Sequence, residues 1–145
     1  MQYLVLIITG ILGAIATYIV NENLKQGPVR ASALLSLLVA SFFYFFPDVC
    51  NINLTTHIPV VFIGASFIGM VSARVLSSYV LIGFSGLIFS VIYLNSSHFF
   101  EGYGGALGTA ACISILVTLS LPVFFKNRKV NNGLMQLRNL FFRRK

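Results

Sequence analysis

The residues best suited to bind a solute stand at the start of the last apolar segment, in the stretch EGYGGALGTAACIS. The acidic, small and hydroxyl residues of interest are Glu101, Gly104, Gly105, Gly108 and Thr109. A glycine inside a helix costs about 1 kcal/mol relative to alanine, so this group indicates backbone that bends, unwinds or closely approaches another group. Many transporters hold small anions at unwound helix ends with free N–H groups. The stretch is therefore a candidate substrate-binding site, and helix packing is the alternative explanation.

Few other side chains could perform chemistry. Those predicted near the outer surface are Asp48, His57, His98 and Glu101, and their spacing matches no metal motif. Catalysis requires side chains that converge on one point, whereas we interpret these four as solvated connector residues. Cys50 and Cys112 form neither a disulfide framework nor a metal pair. We predict no catalytic centre, no metal site and no cofactor, and thus a protein that is not an enzyme.

Composition identifies the solvent that surrounds these residues. Of the 145 residues, 57% are hydrophobic and 9% are charged, and the mean hydropathy is +0.90; soluble domains carry about 25% charged residues. A membrane span needs about 20 apolar residues. The sequence predicts an all-α polytopic membrane bundle formed by residues 1–125, with five spans at residues 3–20, 29–46, 58–73, 75–94 and 104–125.

Two alternatives to five spans remain open. The third segment is short and is separated from the fourth by little more than Arg74, so both segments could form a re-entrant hairpin in a four-span protein. The first segment could be a cleaved signal peptide, although it lacks a basic start. Pro28 suits the first turn of the second helix, where its missing N–H has no cost, and Pro59 is expected to do the same in the third.

The basic residues predict the orientation of the chain in the membrane. Lys25 and Arg30 flank the first connector, Arg74 lies in the third, and the other seven lysines and arginines lie in the tail, residues 126–145. Five spans place all of them on one face, which the positive-inside rule assigns to the cytoplasm. We predict an inner (plasma) membrane protein with its N-terminus outside and its C-terminus in the cytoplasm. Because topology accounts for the net charge of +7, no nucleic-acid partner is expected.

Two groups of basic residues have further interpretations. Arg30 and Arg74 stand at the inner ends of their spans, where they anchor to lipid phosphates or bind an anionic substrate at a cytoplasmic gate. The tail places apolar residues near helical spacing among basic ones, which predicts an amphipathic helix on the anionic inner leaflet. A docking site for a cytoplasmic partner is the alternative for the tail.

Small residues recur at helical spacing in every predicted span. Helices in lipid associate by close backbone approach and hydrogen bonds, which favours small residues four apart. The five sets are Thr9, Gly13 and Thr17; Ser32, Ser36 and Ala40; Ala65, Gly69 and Ala73; Gly83, Gly86 and Ser90; and Gly104, Gly108 and Cys112. They predict a tightly packed bundle.

The order of these features resembles the membrane half of the threonine/serine exporter family. The resemblance consists of a first span, a connector that ends in Pro28-Val29-Arg30-Ala31, a small-residue second span, and residues 61–69 followed closely by Arg74. It covers about half of the chain and implies an export function. The family's proline- and glycine-rich motif after the arginine is replaced here by VLSSYVLIGFSGLIFS.

Two functions follow from these features. The first is a transport component for a small solute, acting as a homo-oligomer or with a second membrane subunit, because five short spans rarely enclose a path alone. The second is a non-catalytic anchor or assembly subunit that docks other spans through its small-residue faces.

Overall fold

The computed structural model describes residues 2–46, 52–95 and 104–124. These residues form five α-helices, and no strand occurs among them, which confirms the prediction of an all-α chain. The helices are α1 (Gln2–Tyr18), α2 (Pro28–Phe45), α3 (Ile52–Gly69), α4 (Tyr79–Asn95) and α5 (Gly104–Phe124). A π-helical turn, Ile19–Asn23, continues α1. The predicted basic tail and Glu101 lie outside the described residues.

Two helix ends differ from the sequence-based expectation. Pro28 occupies the first turn of α2, as predicted. Pro59 does not begin the third helix: α3 starts at Ile52 and Pro59 lies inside it. A proline inside a helix removes one backbone hydrogen bond, a loss that neighbouring polar groups can compensate in bundles. The connector from α3 to α4 covers residues 70–78 and includes Arg74.

Consecutive helices run in opposite directions. Thr17 of α1 lies against Gly69 of α3, and Gly13 lies against Ala65, so α1 and α3 are parallel. Ser85 of α4 donates to Thr118 of α5. Ser85 is six residues after the start of α4 and Thr118 is six residues before the end of α5, so the two helices cover each other along their length when they are antiparallel. The bundle therefore has two ends. The Arg74 end holds the connectors 24–27 and 70–78, and the His57 end holds the first residues of α1, α3 and α5.

Helix α1 lies between α3 and α4, with which it makes most of its contacts, while α2 packs mainly on α3. The backbones of α1 and α4 come closest at Gly10 and Gly86: a Cβ added to Gly86 would lie 2.7 Å from the Gly10 carbonyl oxygen. Between α2 and α3 the hydroxyls of Ser32 and Ser66 are 2.7 Å apart. Small residues thus form the helix contacts, as their spacing predicts.

The small-residue set of α5 behaves differently. Gly104 starts the helix, and a Cβ added to Gly108 would meet no atom within 4 Å among the described residues. Cys112 is exposed and carries a free thiol. This set lies on an outward face of α5, whereas Ser114 and Thr118 face the bundle.

The outer surface of the described helices carries many large apolar side chains. In α2 the buried residues are Ala31 and Ser32, while Leu37 and Leu38 are 65% and 64% exposed. The interior is a hydrophobic core that contains large side chains such as Phe89, Ile68 and Leu76. Polar side chains are buried beside this core; those among the described residues are Thr17, Asn21, Ser32, Ser66, Ser85, Ser90, Ser114 and Thr118. The bundle therefore combines an apolar core that holds several hydroxyls with an exposed surface that is also largely apolar.

Two helical stretches are long and apolar enough to cross a membrane, Gln2–Asn23 and Pro28–Phe45. The other apolar helices are shorter over the residues compared, Leu54–Gly69, Tyr79–Asn95 and Gly105–Leu121. Buried helices of soluble proteins and signal sequences meet the same length and hydropathy limits, so these stretches are a weak indication of membrane association.

Candidate functional site

A cavity opens at the His57 end of the bundle, between α1, α3 and α4. Its volume is about 350 Å³. It is lined by the polar residues Gln2, Tyr3, His57 and Tyr93 and by the apolar residues Leu6, Leu54 and Leu94. Because Gln2 and Tyr3 are exposed, the cavity is open to the surface. Volumes of about 300–1,000 Å³ are typical of small-molecule sites.

A hydrogen-bonded pair forms the polar part of the cavity wall. Nδ1 of His57 lies 2.8 Å from the hydroxyl oxygen of Tyr93. Tyr93 is 4% exposed and its ring stacks on that of Phe89, so the tyrosine is held firmly in α4. His57 is half-buried in α3 and its ring meets that of Tyr93 edge-on. This contact fixes the imidazole and leaves Nε2 as the ring nitrogen available to a ligand.

The interpretation of His57 as a solvated connector residue was wrong. The prediction began the third span at residue 58, because Pro59 is typical of a first helical turn and because NLTTH is polar. Helix α3 starts at Ile52 instead, so His57 belongs to its second turn and faces Tyr93 of α4. The pairing of a histidine with a tyrosine 36 residues away depends on the tertiary arrangement, and nothing in the local sequence indicates it.

The predicted substrate-binding residues lie at the same end of the bundle as the cavity. Gly104 to Thr109 form the first turns of a regular α-helix. Gly105 is exposed, and a Cβ there would meet no atom within 4 Å among the described residues. These glycines do not line the cavity. Their assignment to substrate binding stays a prediction, as does that of Glu101.

Arg30 and Arg74 are both exposed at the opposite end. The connector that carries Arg74 contacts the end of α1, which places it on the same side of the bundle as the connector that precedes Arg30. Their two roles, lipid anchoring and anion binding at a gate, remain predictions.

A polar clamp closes the Arg74 end; it consists of the side chains of Tyr18, Asn21, Glu22, Asn23 and Tyr79 with the connector 70–78. Glu22 Oε1 accepts the backbone N–H of Ala73 at 2.9 Å, and Tyr18 donates to the carbonyl of Leu76 at 3.1 Å. Buried Asn21 donates to the carbonyl of Gly69 at 3.4 Å. The hydroxyl of Tyr79 donates to Asn23 at 3.3 Å.

A π-helical turn carries part of the clamp. Its hydrogen bond from Leu24 N to the Ile19 carbonyl spans five residues instead of four. Asn21 and Glu22 lie within this turn and bond to the backbone of Gly69 and Ala73. Inserted π turns commonly occur at functional sites, and the sequence shows no periodic signal for this one.

We expect Glu22→Ala to loosen the connector 70–78 without unfolding the bundle. Hydrogen bonds to charged groups contribute about 1.5–3 kcal/mol, and half-buried Glu22 should lie near the lower limit. The amide of Ala73 should then exchange its hydrogen about tenfold faster, measured by hydrogen–deuterium exchange. Glu22→Gln keeps an acceptor oxygen and should change the rate less than threefold by the same arithmetic. Equal exchange in all three proteins would contradict the assignment.

The described residues contain no group of three or more histidine, cysteine, aspartate or glutamate side chains that could hold a metal ion. Among the residues described, those that line the cavity include no acidic residue, lysine or arginine. What the wall offers is one imidazole, two phenols, one amide and three leucines. Such a set can bind a small molecule that has both a hydrogen-bonding group and an apolar part.

Comparison with protein families, curated proteins and solved structures finds no match to this chain. The resemblance to the threonine/serine exporters is therefore neither supported nor excluded by these comparisons and stays a prediction.

Proposed function

We propose that this chain is a multi-pass plasma-membrane protein that acts as a component of a transport system for a small solute. The cavity at the His57 end is the feature that carries the proposal. It opens to the surface, it has the size of a small-molecule site, and its polar wall is a fixed pair of side chains rather than mobile loop residues.

The membrane location rests on the apolar outer surface. Apolar side chains exposed on this scale are solvated by lipid rather than by water. Most buried hydroxyl groups bond to one another or to the helix backbone, although Thr17 Oγ1 has no hydrogen-bond partner among the described residues. The hydroxyls of Ser90, Ser114 and Thr118 each donate to a carbonyl four residues earlier. The exposed cations at the Arg74 end correspond to the cytoplasmic side, so the cavity faces outward. The basic tail is assigned to the anionic inner leaflet.

The two ends of the bundle support a transport role because they differ. The His57 end is open, whereas the Arg74 end is closed by the polar clamp, and the contact of Gly10 with Gly86 fills the space between α1 and α4. A solute bound in the cavity would be separated from the cytoplasm by these two contacts. Passage requires them to open, either within one chain or at its contact with a second copy or subunit.

Solute flux into proteoliposomes tests the proposal. The purified chain should take up at least one member of a panel of small anions, neutral solutes and cations. His57→Gln should lower this uptake about tenfold or more, since a hydrogen bond to a charged group contributes about 1.5–3 kcal/mol. Glu101→Gln, tested in parallel, decides whether the predicted substrate-binding stretch takes part. Unchanged flux in His57→Gln would show that the cavity is not part of the transport path.

An assembly subunit is the second candidate, and the outward small-residue face of α5 favours it. Gly108 and Cys112 are four residues apart, the spacing that allows two helices to approach closely. A Cβ added to Gly108 would nevertheless meet no atom within 4 Å among the described residues, and Cys112 is exposed. Absence of flux for the whole panel, together with stable co-purification of another membrane protein in mild detergent, would favour this role over transport.

A further inference from the structure

We infer that the cavity at the His57 end binds a small monocarboxylate with a short alkyl chain. The inference deepens the proposed function by naming a ligand class, and it rests on the cavity rather than on transport itself. Its starting point is the hydrogen bond between His57 and Tyr93.

The imidazole is the strongest recognition group in the wall. The proposal assigns the Tyr93 hydroxyl as the donor to Nδ1 in the 2.8 Å contact, which places the proton of a neutral His57 on Nε2 and makes that nitrogen a donor. When the ring is protonated, Nε2 still donates and the ring also carries positive charge. In both forms the group prefers an acceptor on the ligand, and charge-assisted bonds to a carboxylate are stronger than neutral ones.

The rest of the polar wall is compatible with an anion. Gln2 contributes an amide with two N–H donors, and Tyr3 contributes a hydroxyl that can donate. No carboxylate is among the described residues that line the cavity, so none of these side chains would repel an anion or neutralise a bound ammonium. A cationic ligand would enter the cavity without a counter-charge, which is unfavourable in a partly buried site.

The apolar wall selects the remainder of the ligand. Leu6, Leu54 and Leu94 lie beside the polar pair, and leucine side chains gain nothing from a second charged group. One water occupies about 30 Å³ in the liquid, so 350 Å³ holds a ligand of about ten non-hydrogen atoms. A carboxylate with a short alkyl chain satisfies both walls at this size.

Binding can be measured on the full chain in detergent or nanodiscs, with pentanoate, 1-pentanol and pentylamine as matched probes. The chain contains two histidines, so nitrogen-15-labelled histidine gives two imidazole spectra, and His98→Gln assigns them. Pentanoate should shift the Nε2 signal of His57 saturably. It should bind about tenfold or more tightly than the alcohol or the amine.

Matched variants locate the site. His57→Gln should weaken pentanoate binding about tenfold, measured by isothermal titration, and His98→Gln should leave it unchanged. Tyr93→Phe keeps the ring but removes the hydroxyl that orients His57, and it should weaken pentanoate binding while leaving pentanol binding unchanged. Thermal unfolding of each variant confirms that it is folded.

Two outcomes would overturn the inference. One is pentylamine binding as tightly as pentanoate, and the other is pentanoate binding that His57→Gln and Tyr93→Phe both leave intact. Failure of the transport proposal is distinguishable from either. Pentanoate that binds without flux of any solute retains the ligand class and rejects transport, whereas His57-dependent flux of an amine retains transport and rejects the ligand class.

Discussion

Gly69→Ala should cause the largest loss of stability of any single methyl addition in the described bundle. The added Cβ would lie 2.5 Å from the Thr17 Cβ, 2.6 Å from the Ala14 carbonyl oxygen and 2.8 Å from the Tyr18 backbone nitrogen. Two of these atoms belong to the α1 backbone, which cannot move without shifting the whole helix. Overpacking of this kind costs about 1–3 kcal/mol, and we expect the upper limit or more.

Thermal unfolding followed by circular dichroism in detergent measures the effect. Gly108→Ala is the matched control, because its Cβ would meet no atom within 4 Å among the described residues. In a helix alanine is more stable than glycine by about 1 kcal/mol, so the control should melt at an equal or higher temperature. If both variants melted together, the close contact of α1 with α3 would be disproved.

Phe89→Ala should destabilise the protein at least as much as Gly69→Ala. Phe89 is fully buried, and its ring lies directly against Gly64 of α3. Removal of a buried phenylalanine ring typically costs about 3–5 kcal/mol, part of it for the cavity left behind. Phe84→Ala on the same helix is the control, because Phe84 is 40% exposed and its loss opens no internal cavity.

A double-mutant cycle tests whether Phe89 and Gly64 are in direct contact. Gly64→Ala alone should destabilise the protein, because the new methyl group meets the Phe89 ring. In the Phe89→Ala background the same methyl group fills part of the vacated space and should stabilise the protein. The reversal of sign is a coupling energy, which contacting residues show at about 0.5–3 kcal/mol. Additive effects would indicate that the two residues do not touch.

The helical architecture could be predicted from sequence because long apolar segments separated by short polar connectors permit little else. Small residues such as Gly13, Gly69 and Gly86 could also be assigned to helix contacts, since close backbone approach has a spacing that is visible in one dimension. The same spacing could not show that Gly108, unlike these glycines, makes no close contact with another described helix. Which face of a helix contacts a neighbour depends on how the helix is rotated in the bundle. The presence of a glycine at a position does not indicate that rotation.

The candidate site was mostly invisible in the sequence. His57 of α3 pairs with Tyr93 of α4. The pairing requires α3 to begin before His57, whereas Pro59 indicates a later start. Nothing in the sequence singles out Glu22, because its contact with the Ala73 amide joins residues that are 51 positions apart. Both features arise from tertiary contacts that override local preference.

The position of α1 between two helices that follow it much later has a consequence for biosynthesis. The next helix to leave the ribosome is α2, which makes few contacts with α1, whereas α3 and α4 make most of them. The partner of Gly13 on α3 is therefore complete only when residue 69 has been translated, and the partner of Gly10 on α4 only when residue 95 has. The glycine face of α1 is not covered by these helices during that interval, so a factor that binds apolar helices in nascent chains has its greatest opportunity early in the synthesis of this protein.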